Sequence, residues 1–89
     1  MTLLIFCSQA FAQSTYYGAS KGLCRSNLDE LRQDIIHILR MTPAMPPLAK
    51  LYGPLRRILD ASEADYDQGN YSRCVSETAR ALRVTKQYR

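Results

Sequence analysis

The sequence predicts an all-α protein, a small three-helix bundle with helices at about 27–41, 54–68 and 70–86 after an irregular N-terminal lead-in. Two observations predict this fold. Apolar residues recur every three or four positions in three separate segments, which is the period of an α-helix. Segments that contain Pro or Gly separate these stretches and favour breaks between helices. With 46% hydrophobic and 22% charged residues, the composition is typical of a folded domain rather than of a disordered chain.

The first predicted helix has signals for both its start and its end. Ser26 and Asn27 are suitable N-cap residues, and Asp29 and Glu30 follow in the first turn, where negative charge favours the helix dipole. The Pro-rich segment 42–47 (TPAMPP) ends the helix, because Pro offers no backbone donor and disfavours a helical residue before it. The apolar stripe of this helix is Leu28, Leu31, Ile35, Ile38 and Leu39.

The second and third predicted helices form a hairpin. Pro54 suits the first position of the second helix. Gly69 is placed to cap its end in a left-handed conformation, and Asn70 then caps the third helix. The stripe of the second helix is Leu55, Ile58, Leu59, Ala61 or Ser62, and Tyr66. The stripe of the third is Tyr71, Cys74, Val75, Thr78, Ala81, Leu82 and Thr85, which is the strongest helical pattern in the chain.

Part of this hairpin has a family resemblance. The stretch 64–71 (ADYDQGNY), followed by Cys74-Val75 and Ala81-Leu82, resembles the turn and second helix of a tetratricopeptide repeat, with Cys74 where that pattern has Ala. The resemblance extends over residues 55–85 and implies peptide binding. About three such units are normally needed to bury a continuous core, and the first predicted helix lacks the Gly-x-Tyr turn of a second copy. The segment is therefore interpreted as a generic tight helical hairpin.

Residues 1–12 resemble the end of a secretory signal peptide. Ala10 and Ala12 provide the small residues that signal peptidase accepts, so cleavage is expected before Gln13. No Lys or Arg precedes the short apolar run, which indicates that the true start lies further upstream. A buried N-terminal strand or helical turn is the alternative. The sequence therefore predicts a signal segment, a lead-in at 13–25 and a helical domain at 26–89, in a periplasmic or secreted protein without a transmembrane segment in the mature chain.

The two cysteines of the mature chain predict a disulfide. Cys24 and Cys74 remain after the predicted cleavage, and an even pair in an exported chain favours a bridge. In an up-down-up bundle the first and third helices run parallel, which brings both residues to the same end. In the cytosol the same two residues would instead be free thiols packed as small apolar groups. Zinc binding needs about four ligands, and only His37 is available besides them, so no metal and no cofactor is expected.

The sequence does not predict a catalytic site. His37 is the sole histidine and a conceivable general base, but no nucleophile lies in a recognisable motif such as G-x-S-x-G. Asp29 and Glu30 are explained by their position at the start of a helix. The protein is therefore predicted to be a small exported binding or structural module rather than an enzyme, and a small exported enzyme that uses His37 remains an alternative.

Basic residues are the candidate binding residues. The net charge is +4, and an arginine-rich side of the second and third helices is predicted to contact a protein partner of unknown identity. The residues of this site are Arg56, Arg57, Arg73, Arg80 and Arg83. The alternative is binding to an anionic membrane lipid surface or to nucleic acid, which requires all five to share one unbroken face. Acidic residues interrupt the pattern, so nucleic acid is the less expected partner.

Overall fold

The computed structural model describes the backbone from Thr2 and the side chains from residue 19 onward. The helices are α1 (Thr2–Met41), α2 (Ala49–Asp67) and α3 (Tyr71–Thr85), with 3-10 turns at Pro46–Leu48 and Lys86–Tyr88. The predicted all-α fold with three packed helices is confirmed. The predicted signal segment 1–12 and its cleavage site lie outside the residues whose side chains are described.

Helices α1 and α3 run parallel and are joined by contacts in a constant register. The predicted disulfide joins Cys24 to Cys74, with Cα atoms 5.5 Å apart. Further along both helices, the Thr85 hydroxyl donates a 2.6 Å hydrogen bond to Asp34 Oδ2. Sequence separations of 50 and 51 residues at the two contacts show that the helices advance together. The prediction that both cysteines lie at one end of the bundle is therefore confirmed.

Helix α2 runs antiparallel to both neighbours. Near its start, Tyr52 shares a groove with Leu39 at the end of α1. Near its end, Tyr66 shares a groove with Arg25, much earlier in α1. The ring of Tyr66 also packs edge-on against Tyr71 at the start of α3, with ring centroids 5.5 Å apart. These contacts fix the up-down-up topology.

One apolar cluster joins the three helices. Leu31 and Ile38, two turns apart on α1, are fully buried, and each stabilises the fold by roughly 1.5–3 kcal/mol. Helix α3 contributes smaller side chains to the interface, such as Thr78 and Ala81, which let the helix axes approach closely. The other buried hydrophobic members are Cys24, Leu28, Ile35, Leu48, Leu55, Leu59, Cys74 and Leu82.

The predicted irregular lead-in is wrong over residues 19–25, which belong to α1. Their sequence lacks helical periodicity, but two contacts with α3 hold them against the bundle. Cys24 is bonded to Cys74, and the Lys21 ammonium lies 5.8 Å from the ring centroid of Tyr71. The single glycine of this stretch costs a helix only about 1 kcal/mol. Tertiary contacts therefore extend the helix beyond its local signals.

The predicted N-cap at Ser26 and Asn27 is also wrong, because both residues lie inside α1. Asn27 is buried, and its Nδ2 donates a 3.1 Å hydrogen bond to the Thr78 hydroxyl on α3. Ser26 is exposed. The polar side chain that indicated a helix start thus makes a contact between helices instead.

Helix α2 begins before the predicted break. Pro54 lies inside the helix rather than at its first position. Because Pro lacks an N–H, it removes one backbone hydrogen bond close to the N-terminus of the helix. Burial of Leu48 just before α2, and packing of Leu51 and Tyr52 against the core, hold the preceding turn in place.

The tight turn between α2 and α3 follows the prediction. Gly69 has a φ of 80°, the left-handed conformation that favours glycine. The Asn70 amide donates a 2.7 Å hydrogen bond to the Asp65 carbonyl, which ties the turn to the end of α2. Asn70 is the N-cap residue of α3, as predicted, but its side chain contacts Gln68 and makes no capping hydrogen bond.

Replacing Thr78 by Val tests the buried contact between α1 and α3. The Thr78 hydroxyl accepts from Asn27 and donates to the Cys74 carbonyl at 2.7 Å. Val has nearly the same shape but leaves the amide of Asn27 without its acceptor. We expect Thr78→Val to lower the free energy of unfolding by about 1–3 kcal/mol in urea denaturation. The Asn27→Leu/Thr78→Val double variant should recover part of that loss, and an unchanged stability of the single variant would contradict this account.

Candidate partner-binding site

The five predicted contact arginines are all exposed, but they do not form one surface. Arg56 borders a groove between α1 and α2. Arg57 and Arg80 line a different groove, between α2 and α3. Arg73 and Arg83 lie on α3 outside the lining of that second groove. The structure thus brings two of the five together and separates Arg56 from them.

Two of the five arginines have acidic partners within the chain. Arg56 Nε lies 3.2 Å from Asp60 Oδ1, one turn later on α2. Arg73 Nε lies 3.7 Å from Glu77 Oε1, one turn later on α3. Exposed pairs of this kind contribute little to stability, about 0.3–0.5 kcal/mol on a helix. They do, however, place a carboxylate beside each of the two guanidinium groups.

The groove between α2 and α3, called here the α2–α3 groove, combines charge with an apolar floor. Its lining residues are Arg57, Ile58, Ala61, Glu77 and Arg80, and its volume is about 290 Å³. Ile58 is half-buried and Ala61 is exposed, so apolar surface is accessible between the two helices. The two arginines belong to different helices, Arg57 to α2 and Arg80 to α3. Such an arrangement can bind an anionic group next to an apolar one.

Arg57 and Arg80 are available for an external anion. Among residues 19–89, neither guanidinium lies within ion-pair distance of a carboxylate. An arginine can form two parallel hydrogen bonds with one carboxylate, a geometry that lysine does not offer.

Glu77 is held in place and does not neutralise these two arginines. Ser62 is fully buried, and its hydroxyl donates a 3.3 Å hydrogen bond to Glu77 Oε2. The other carboxylate oxygen, Oε1, faces Arg73 at 3.7 Å. A fixed negative charge therefore stands on the α3 wall of the groove, one turn before Arg80.

The groove between α1 and α2 has a different character. Arg32 bridges it, donating to Glu63 Oε1 at 2.9 Å and to Asp29 Oδ1 at 2.8 Å. On one side of this bridge, Ile36 and Leu39 are 42% and 45% exposed. Arg32 is thus already paired by its neighbours, in contrast to Arg57 and Arg80 in the α2–α3 groove.

His37 lies on the exposed side of α1. Within the part of the chain whose side chains are described, no hydrogen bond reaches its ring. Asp34, one turn earlier, is the nearest acid along the helix, and its oxygens are occupied by Thr85 and Arg89. Asp34 is therefore not free to orient or activate the imidazole.

Asp34 is the centre of a polar cluster in which Asp34 and Thr85 are buried and Arg89 and Glu30 are partly exposed. Arg89 Nη2 donates to Asp34 Oδ2 at 2.7 Å and to Glu30 Oε1 at 2.6 Å, while Thr85 provides a further hydrogen bond to Oδ2. Burial raises the pKa of Asp34, but hydrogen bonds from Arg89 and Thr85 and the charges of Arg89 and His37 lower it by more, so the pKa lies below its usual value. The hydrogen bonds to Asp34 and Glu30 raise the pKa of Arg89. The cluster is a charged clamp between α1 and the end of the chain.

Sequence reasoning missed two properties of the site. It placed Glu77 only as an interruption of the basic pattern, and it placed Ile58 in the core stripe. In the structure Glu77 is anchored by Ser62, and Ile58 packs against the core as its stripe predicts but also lines the groove. The sequence gives the position of each arginine on its own helix. Arg57 and Arg80 come to line the same groove only once the antiparallel register of α2 and α3 is known.

Other kinds of site have little support among the described residues. No group of three His, Cys, Asp or Glu side chains within them is placed to hold a metal ion. None of the described helical segments is both long and apolar enough to span a membrane. Comparison of the chain with family models, with curated proteins and with solved structures found no match.

Proposed function

We propose that the protein is a small exported binding module that holds a protein partner in the α2–α3 groove and has no catalytic activity. The observation that carries this proposal is the pair Arg57 and Arg80, two exposed guanidinium groups without ion-pair partners among the described residues, on two different helices that line a groove with an apolar floor. Arg is enriched where proteins contact each other, and apolar surface beside it adds binding energy.

Export is supported by the disulfide. Bridges between buried cysteines persist in oxidising compartments and are rare in the cytosol. Both Cys24 and Cys74 are fully buried, and they close a loop between α1 and α3. An exported protein of this size gains much of its stability from such a link.

The proposal favours a protein partner over an anionic surface. Lipid or nucleic acid binding would use a continuous basic face. Arg56 is separated from the α2–α3 groove, and Arg73 is paired with Glu77. The positive charge in the groove lining is confined to Arg57 and Arg80, which suits a discrete site on a partner.

Replacing Arg57 and Arg80 by Lys tests the proposal while it preserves charge. The expected result is loss of the partner that wild-type protein captures from the exported fraction of its host. Against the purified partner, identified by mass spectrometry, we expect a Kd raised at least about tenfold, because charged hydrogen bonds contribute about 1.5–3 kcal/mol. The melting temperature should stay close to that of the wild type, since surface substitutions usually change stability by less than about 0.5 kcal/mol.

The matched control is Arg25→Lys/Arg40→Lys on α1. Both residues are exposed and lie outside ion pairs among the described residues, so the control makes the same chemical change on another surface. The control variant should bind the partner like the wild type. Equal binding by all three proteins, or loss only in the control, would place the partner elsewhere and end the proposal.

A further inference from the structure

The charges of the α2–α3 groove specify the chemistry of its ligand. Two arginines and one glutamate line it, which gives a sum of +1 for the lining residues; Arg73, which faces the glutamate at 3.7 Å, lies outside the lining. One carboxylate neutralises this sum. Because a carboxylate has two oxygens, it can accept hydrogen bonds from two arginines at once.

The position of Glu77 limits the ligand to that one carboxylate. Its own oxygens are engaged by Ser62 and Arg73, so it stays in place as a fixed negative group. A second carboxylate of the ligand, placed near Glu77, would meet like charge in a partly buried site. Like charges at close range disfavour binding, and so Glu77 selects against a densely acidic ligand.

The floor of the groove requires an apolar group next to the carboxylate. Ile58 and Ala61 offer accessible apolar surface, and a volume of about 290 Å³ is near the lower end of the range for ligand sites. It has room for one large side chain rather than for an extended ligand. On a helix, residues three or four positions apart share a face, so one helical turn can present an apolar side chain and a carboxylate together.

We infer that the α2–α3 groove binds a helical segment of a partner protein that presents one large apolar side chain and one carboxylate on the same face. The carboxylate binds between Arg57 and Arg80, and the apolar side chain packs on Ile58 and Ala61. Glu77 rejects a second carboxylate. This inference rests on the function proposed above and adds the identity of the recognised groups.

Selection from a random peptide library tests the inference. The full chain, immobilised, selects peptides after counterselection on Arg57→Lys/Arg80→Lys. The expected peptides carry one Asp or Glu three or four positions from a large apolar residue. Peptides that are enriched in several acids without an apolar residue, peptides without any acid, or a failure to enrich would each overturn the inference.

Synthetic peptides then measure each recognised group. In a selected peptide, replacing the acid by its amide, or the apolar residue by Ala, should weaken binding by about tenfold or more. Arg57→Lys/Arg80→Lys should abolish the difference between the acid and amide peptides, while Arg25→Lys/Arg40→Lys should keep it. An acid and an amide peptide that bind the wild type equally would contradict the role of the two arginines.

Glu77→Gln provides the selectivity measurement. Gln keeps an oxygen that can accept the Ser62 hydrogen bond but removes the charge. Wild-type protein should prefer the single-acid peptide to the same peptide with a second acid, and Glu77→Gln should lose most of that preference. An unchanged preference would show that the charge of Glu77 does not determine the selectivity.

Binding to anionic vesicles distinguishes a failure of the protein-binding function from a failure of the ligand chemistry. Phosphatidylglycerol vesicles should bind weakly and should not displace the selected peptide. If they bind tightly and depend on Arg57 and Arg80, both the ligand chemistry and the protein-binding function are wrong. If a protein partner requires both arginines while the peptides show no preference for a single acid, the proposed function stands and this inference fails.

Discussion

The Cys24→Ala/Cys74→Ala variant is expected to lose about 4 kcal/mol of unfolding free energy. The bridge closes a loop with a sequence separation of 50 residues, and in the chain-entropy model its removal destabilises by this amount. A domain of this size has a total stability of only a few kcal/mol, so the variant should be largely unfolded or should melt at least about 15 °C lower. Circular dichroism during heating measures the shift.

Reduction of the native disulfide measures the effect of the cross-link on stability separately from the effect of replacing the two side chains. The protein with the disulfide is compared with Cys24→Ala/Cys74→Ala. Both carry Cys7→Ser, so that the third cysteine cannot exchange with the disulfide. Dithiothreitol should lower the melting temperature of the protein with the bridge and leave that of the double Ala variant unchanged. Since both sulfur atoms are fully buried, reduction should be slow until the protein opens. A melting temperature that is insensitive to a completed reduction would show that the bridge contributes no stability.

The Asp34→Asn variant is expected to lose about 1.5–3 kcal/mol near neutral pH. Asn has the shape of Asp but lacks its charge and one of the two oxygens that accept hydrogen bonds from Thr85 and Arg89, and charged hydrogen bonds contribute about this much. The side chain of Asp34 is only 11% exposed, so water cannot easily replace these partners. Urea denaturation at pH 7 measures the loss.

Asp29→Asn is the matched control. Asp29 is also an acid on α1 with an arginine partner, but its side chain is 66% exposed. An exposed ion pair typically contributes about 0.2–1 kcal/mol, so this variant should change stability much less than Asp34→Asn does. Equal effects of the two substitutions would contradict the distinction between the buried carboxylate of Asp34 and the exposed carboxylate of Asp29.

The stability contributed by the Asp34 charge should depend on pH in one direction. The pKa of Asp34 in the folded protein lies below its ordinary value of 3.8. The unfolded chain therefore binds this proton more readily, and the stabilisation is fully present well above pH 3.8 and is lost as pH falls through the folded pKa. The stability difference between wild type and Asp34→Asn should shrink as pH falls below about 4. A difference that stays constant down to pH 3 or grows toward low pH would contradict this linkage.

The sequence by itself determined the parts of this fold that depend on neighbours along the chain. The spacing of apolar residues in α3 follows from the period of a helix, and the structure buries Cys74, Thr78, Ala81 and Leu82 along that stripe. Gly69 ends α2 because its left-handed conformation is a local preference of glycine. The Cys24–Cys74 pairing was also predictable, because the predicted cleavage removes Cys7 and the parallel first and third helices bring the other two cysteines to one end.

Tertiary structure decided the features that depend on contacts between distant residues. Local signals indicated that Asn27 caps a helix and that Pro54 begins one, yet both lie inside helices. The hydrogen bond from Asn27 to Thr78 and the burial of Leu48 outweigh local preferences of about 1 kcal/mol. No pattern along the chain indicates that Asp34 meets Arg89, 55 residues later.

The candidate site also depends partly on local sequence and partly on tertiary structure. Composition and helical phase identified the exposed arginines of α2 and α3, because long charged side chains remain in water. Only the antiparallel register of the two helices brings Arg57 and Arg80 to one groove, pairs Arg73 with Glu77 and turns Arg56 toward α1. Register is set by the packing of buried side chains from all three helices together, and that packing is a property of the folded chain rather than of any one segment.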